Sequence, residues 1–149
     1  MIGRTVNGVA QRDRWNIAKG TIDGAPIIVR ALDGVARAKD RTQWPVRIGV
    51  AIPLLEPDDR GFPQADELTF LDEIEGRIDE TTSADRRAVL VAMITGKSMR
   101  EFVLHARDGD WVEAWHLGLR AEFGSHDVQC VAQLDPDWTA YLTLVGGPA

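Results

Sequence analysis

Cysteine is nearly absent. Cys130 stands alone among 149 residues, so no intramolecular disulfide framework is available. On an apolar strand face it reads as a buried, inert thiol. Histidine is scarce as well, with His105, His116 and His126 the only three. No two of them share an element at ligand spacing and no cysteine joins them, so neither a metal site nor a cofactor is expected. No apolar run is long enough to span a bilayer, and residues 1–15 lack the hydrophobic segment of a signal peptide. A cytoplasmic protein is expected. The phosphate loop is missing too. Ile94-Thr95-Gly96-Lys97-Ser98 looks like its tail, but Val91 stands where the first glycine is required, and a strand follows where a helix should. Ser98 and Ser125 fall in turns without a sequence sign of a neighbouring base and acid, which leaves a nucleophile reading unsupported.

What is present divides by charge. Residues 1–50 carry a net +5 and residues 51–149 a net −11, with eleven acids between positions 54 and 85. An acidic chain disfavours polyanionic partners, so nucleic acid is not expected to bind. Arg37, Lys39 and Arg41, in a polar loop over residues 32–43, are the one basic cluster that keeps that option open.

The chain reads as one domain over residues 15–144, with tails at 1–14 and 145–149. Its organising stretch is 86–107. Ala88 to Ile94 is an unbroken apolar run, residues 95–98 form a turn, and Met99 to Arg107 alternates with period two, so this is a hairpin. A first strand apolar on both faces must be covered on both. The N-terminal hairpin or a second subunit is the expected cover, and a homodimer stays open. Upstream, Trp15–Thr21 and Ala25–Ala31 flank Asp23-Gly24, a strong hairpin signal. Trp44–Pro53 is a further strand. Leu68, Leu71, Ile74 and Ile78 mark a helix over 64–81, with Asp66 and Glu67 in its first turn. Asp110 reads as the N-cap of a second helix, with Glu113 completing a capping box and Gly124 ending it. Residues 126–134 form the last strand, and Asp135-Pro136 opens a short helix that presents Trp138 and Tyr141. From residue 44 the order is strand, helix, strand, strand, helix, strand. The expected fold is therefore α+β, with a ferredoxin-like (βαββαβ) antiparallel sheet, two helices on one face, and an added N-terminal β-hairpin.

The candidate site follows from that register. If Val46, Ile48, Phe102 and Leu104 face the helices, then Arg47, Glu101, His105 and Arg107 face the other way. Gly49 and Ala51 leave space beside them. Such a set suits a polar ligand or acid–base work. It also suits an ordinary solvated face. Arg47, Gly49, Glu101 and Val103 stand where base stacking would need aromatics, which argues against a sheet that binds RNA. A pocket over Gly49 and Ala51 would favour a small-molecule site, and a flat or covered face would favour a partner surface. Trp138 and Tyr141 either close the sheet or clamp an aromatic ligand. Replacing both with Ala lowers the melting temperature in the first case and not in the second.

Several landmarks, in order, resemble a bacterial family known as domain of unknown function 695 (DUF695). They are Trp15, Arg30, Gly61-Phe62-Pro63, Leu71-Asp72-Glu73-Ile74-Glu75, Thr95-Gly96, Arg100-Glu101-Phe102, and Asp135-Pro136-Asp137-Trp138-Thr139-Ala140-Tyr141. One departure is His105, where the resemblance implies an aromatic residue, usually Tyr. The family has no assigned activity. Related bacterial proteins join such a domain to one similar to the regulator B inhibitor of ribonuclease E, which implies by association an adaptor. The function expected is a protein-binding or regulatory module rather than an enzyme, with another protein as partner. A small polar-ligand binder or hydrolytic enzyme on the sheet face is the alternative, and an adaptor in RNA processing a further one.

Overall fold

The structure, a computed structural model, describes residues 15–33 and 41–146. The expected N-terminal tail, Arg37 and Lys39 of the basic loop, and residues 147–149 lie outside them. Six strands and three helices follow in order: β1 (Trp15–Ile22), β2 (Ala25–Leu32), β3 (Val46–Pro53), α1 (Ala65–Ser83), β4 (Ala88–Gly96), β5 (Met99–Ala106), α2 (Val112–Glu122), β6 (Gln129–Leu134) and α3 (Thr139–Leu144). The fold is α+β. All six strands join one antiparallel sheet in the order β1-β2-β4-β5-β3-β6. The N-terminal hairpin extends this sheet instead of lying across it, because β2 pairs with β4. Its turn places both Asp23 and Gly24 at positive φ, the twist that two-residue hairpin loops need.

Each face of the sheet carries a buried core over its inner strands. Ile48, Val50 and Ile52 of β3, Phe102 and Leu104 of β5, and Leu90 and Met93 of β4 pack under α1 and α2. On the second face, Ile27, Val29 and Ala31 of β2 join Val91, Ala92, Val103, Trp138 and Tyr141. The strand β4 serves both cores through an irregularity. Its register with β5 shifts between Leu90 and Ala92, so Val91 and Ala92 both join the second core between Leu90 and Met93 of the first. A bulge of this kind breaks the two-residue alternation. The second cover of β4 is therefore α3 and the turn before it.

The helices depart from the sequence pattern in two places. Leu68, read as part of the apolar stripe of α1, is exposed, and Glu67 is buried beside it. The Glu67 carboxylate accepts the backbone N–H groups of Leu55 at 2.7 Å and Glu56 at 3.3 Å. This gain outweighs the burial of one more leucine and rotates the buried stripe to Leu71, Ile74 and Ile78. The capping box at Asp110 does not form. The N-cap of α2 is Trp111, without a side-chain cap, and the Asp110 N–H instead donates to the Asp108 carboxylate at 3.2 Å. The last strand begins at Gln129, three residues later than the alternation suggests, because the His126 side chain is turned into the protein against Glu67.

Glycine fixes the β4–β5 tip. Lys97 and Ser98 both have positive φ, and the Gly96 before them lies at φ 146°. A Cβ on Gly96 would stand 2.6 Å from the Pro26 carbonyl oxygen of β2. Gly61 packs on the same tip, at φ 87°, with its carbonyl accepting the Ser98 N–H at 3.0 Å. The tip, the 54–63 loop and β2 thus meet backbone to backbone. Gly96→Ala should cost about 2–4 kcal/mol, since it adds both backbone strain and a clash. Urea unfolding measures this. A loss under 1 kcal/mol, on the order of an ordinary surface change, would show that the contact yields.

Candidate functional site

The second face is closed by one turn and one short helix. The Asp135 N–H donates to the Pro45 carbonyl at 2.7 Å. Its carboxylate accepts the Thr139 N–H at 2.9 Å and the Ala140 N–H at 3.4 Å, which caps α3, and also holds the Arg47 guanidinium at 2.9 Å. Burial pushes the Asp135 carboxyl up, but those two N–H groups and Arg47 outweigh it and keep it below the usual range. Trp138 follows in the left-handed region at φ 57°, a conformation a bulky residue adopts only where its surroundings fix it. Here its indole N–H donates to the carbonyls of Trp44 (3.0 Å) and Arg41 (3.2 Å). The ring stacks on His105 with centroids 4.0 Å apart. Tyr141 meets it edge-on and donates its hydroxyl to the Leu32 carbonyl. Trp138 and Tyr141 are both buried, so they close the sheet.

The helix α3 is too short to cover the whole face. Beside it, β3, β5 and β6 leave an open cleft of about 450 Å³, with Gly49 on its floor. Arg47, Glu101, Gln133 and Thr143 are its polar lining, and Val131 and Leu144 are among the apolar groups. A Cβ on Gly49 would meet nothing within 4 Å. Arg47 is tied to Asp135. Glu101 is exposed, and no ion pair holds it among the described residues.

The four residues that alternation puts on one face are therefore divided. Arg47 and Glu101 line the cleft. His105 lies fully buried beneath Trp138. It sits four residues from Glu101 on the same strand, about 13 Å along it at the usual rise, so no carboxylate–imidazole pair forms. Arg107 turns away to stack over Trp44 at 4.3 Å and donate to the Arg86 carbonyl. Pairing 88 residues apart makes Asp135 the partner of Arg47, which no local spacing signals. Val131 and Gln133 enter only through the β3–β6 register.

The other landmark residues build the frame. Trp15 lies under Arg30, whose guanidinium is 5.2 Å from the ring and 3.5 Å from Glu75. Arg100 is buried nearby and donates to Thr95 Oγ1 at 2.7 Å. Gly61 and Pro63 hold the loop before α1, where Asp58 accepts the N–H groups of Arg60 and Phe62. Cys130 is half-buried, and burial pushes its thiol up to about 11. Among the described residues no group of three or more His, Cys, Asp and Glu is placed to hold a metal, and no helix is long and apolar enough to cross a membrane.

The chain belongs to a family described as "Family of unknown function (DUF695)", whose model matches residues 13–145. No curated protein and no solved structure matches it.

His105 makes the site sensitive to acid. Its Nδ1 lies 2.8 Å from the Trp44 carbonyl, while Nε2 is buried without a partner among the described residues. Burial lowers its pKa, with the Trp44 bond and Asp135 opposing. The folded ring thus stays neutral while the unfolded ring takes a proton below pH ~6.5. Stability is then full above that value and lost as pH falls through it, until the folded ring also protonates. Asp135 and Glu67, both lowered, add their losses only below the usual carboxylate range. His105→Phe keeps the stack and removes the orphaned nitrogen. It should flatten the fall in melting temperature between pH 7 and 5, and an unchanged slope would place the titration elsewhere.

Proposed function

We propose that this DUF695 domain is a binding module that accepts an extended segment of another protein as a strand along β6, with one side chain of that segment entering the cleft over Gly49. The observation that carries this reading is β6 itself. It ends the sheet and, among the described residues, pairs with β3 alone. From Gln129 to Leu134 it carries neither charge nor proline, the devices that usually protect an edge. Val131 and Leu134 are 65% and 77% exposed. Main-chain hydrogen bonds along such an edge supply affinity, and a pocket for alternate side chains supplies specificity. The apolar cleft lining suits an aliphatic side chain. Glu101, without an ion pair among the described residues, and the net charge of −6 favour a basic residue beside it.

Within this reading, β3 to β6 with α1 and α2 form a ferredoxin-like core. The run β4-β5-β3-β6 and the shared first core of α1 and α2 support it, though fold alone supplies no function. A bacterial, cytoplasmic setting belongs to the same reading, supported by the family resemblance and by a single cysteine, which offers no intramolecular disulfide. A small polar ligand is the second reading, favoured by the cleft volume, which falls in the range of ligand sites. His105 under Trp138 takes no part in either.

Gly49→Val separates binding from folding. The added side chain enters open space, and valine suits a central strand better than glycine by about 0.5–1 kcal/mol. The variant should melt at or above the wild-type temperature. It should also fail to retain a nuclease-resistant partner that the wild type captures from extract of its source cells. Hydrogen exchange at β6 amides should slow when that partner binds. Capture that ignores both Gly49→Val and Val131→Lys would overturn the proposal.

A further inference from the structure

On the opposite side of the sheet, the neighbours Ser125 and His126 meet Glu67, 59 positions before His126, in a chain of hydrogen bonds. Ser125 Oγ lies 2.9 Å from His126 Nδ1, and His126 Nε2 lies 2.7 Å from Glu67 Oε2. The imidazole stacks on Phe70, with centroids 3.7 Å apart and planes within 10°. The side chains of His126 and Glu67 are buried and Ser125 is exposed. Glu67 is held rigidly by the N–H groups of Leu55 and Glu56. Burial pushes its carboxyl up, but these bonds and His126 prevail and hold it ionised. An ionised carboxylate only accepts, so His126 Nε2–H donates to Glu67, and in the neutral ring Nδ1 accepts from the serine.

We propose that Ser125, His126 and Glu67 are a nucleophile, base and orienting acid that hydrolyse short acyl esters. The arrangement meets the geometric requirement for an activated nucleophile, with base and acid each within hydrogen-bond reach of the next. Ser125 and Phe70 also line two adjoining cavities, of about 330 and 710 Å³, one for the acyl group and one for the alcohol. Ser125 Oγ attacks the acyl carbon while its proton passes to His126 Nδ1. The carbon–alkoxy bond breaks, and the leaving alcohol takes that proton. Water then attacks the acyl-serine, giving one proton to Nδ1, which returns it to Oγ as the acid departs.

The surroundings select the substrate. Glu56 and Asp66 flank the smaller cavity and Glu73 and Glu80 the larger, while Arg77 is bound to Glu122 and Glu80. A negative field of this kind repels anions, so the ester is neutral or cationic. The site shares no residue with the β6 cleft.

The test uses the full chain with 4-nitrophenyl acetate and the anionic 4-nitrophenyl succinate. Wild type should hydrolyse the acetate faster than the succinate, and quenching should trap one acetyl group on Ser125. Ser125→Ala, a change at an exposed side chain, should lower turnover by about 100-fold or more at an unchanged melting temperature. Glu67→Gln should lower kcat with less effect on KM. Absent turnover, equal turnover in Ser125→Ala, or acetyl found only on another residue would overturn the assignment. Equal rates on the two esters would overturn the charge selection.

Discussion

The seat of Trp138 on His105 is the contact on which the second half of this molecule depends. A sheet apolar on both sides needs two covers, and only one is supplied by long helices. The other is the six-residue α3, far shorter than a helix that persists unaided. It exists because its ends are tied. Asp135 caps it and binds Arg47, Trp138 reaches back to the Trp44 and Arg41 carbonyls, and Tyr141 reaches β2. Burying Trp138 removes the largest fully buried side chain of the domain from water. Loss of such a ring costs about 3–5 kcal/mol, enough to release the cover as a unit.

How far the sequence reveals this depends on whether the signal is local. Alternation from Met99 to Arg107, the Asp23-Gly24 turn and the 71-74-78 spacing report elements directly, and the structure contains each. The face of each strand follows too, so Arg47, Glu101 and His105 do share a side of the sheet. What alternation cannot convey is distance along a strand or what lies above it. It groups Glu101 with His105, although four residues separate them by about 13 Å, and it does not show the indole that seals the imidazole in. The Asp110 cap fails for a related reason, since sequence lists a competent side chain but not the competing Asp108 carboxylate. Glu67 is the sharpest case. By composition it belongs with the solvated acids of α1, and only the chain 11 and 12 residues earlier gives its burial a reason. Ser125 and His126 acquire a meaning from the same residue, 59 positions away.

The two faces consequently offer different chemistry. Under α1 and α2 the polar groups are held in short, directed bonds around Glu67. On the other side, beyond the edge of α3, the exposed groups include a floor without a side chain at Gly49, the Glu101 carboxylate, which has no ion-pair partner among the described residues, and backbone at β6. Rigid, paired groups suit reactions, whereas open edges and unpaired charge suit association. Arg47 and Asp135 join the second face to its cover, so the cleft keeps its shape only while α3 stays docked.

The N-terminal hairpin, whose strand pairing with the rest of the sheet runs through β2, has a role that its exposed outer strand conceals. With it in place, β4 is an interior strand. Without it, the flank of β4 becomes an edge, and Val89-Leu90-Val91-Ala92-Met93-Ile94 presents six uncharged, apolar residues without proline or glycine. Segments of that composition stack readily into cross-β assemblies. The hairpin thus acts as a guard against self-association, and the residues that dock it, Gly96 against Pro26 and Tyr141 against Leu32, govern solubility as much as stability.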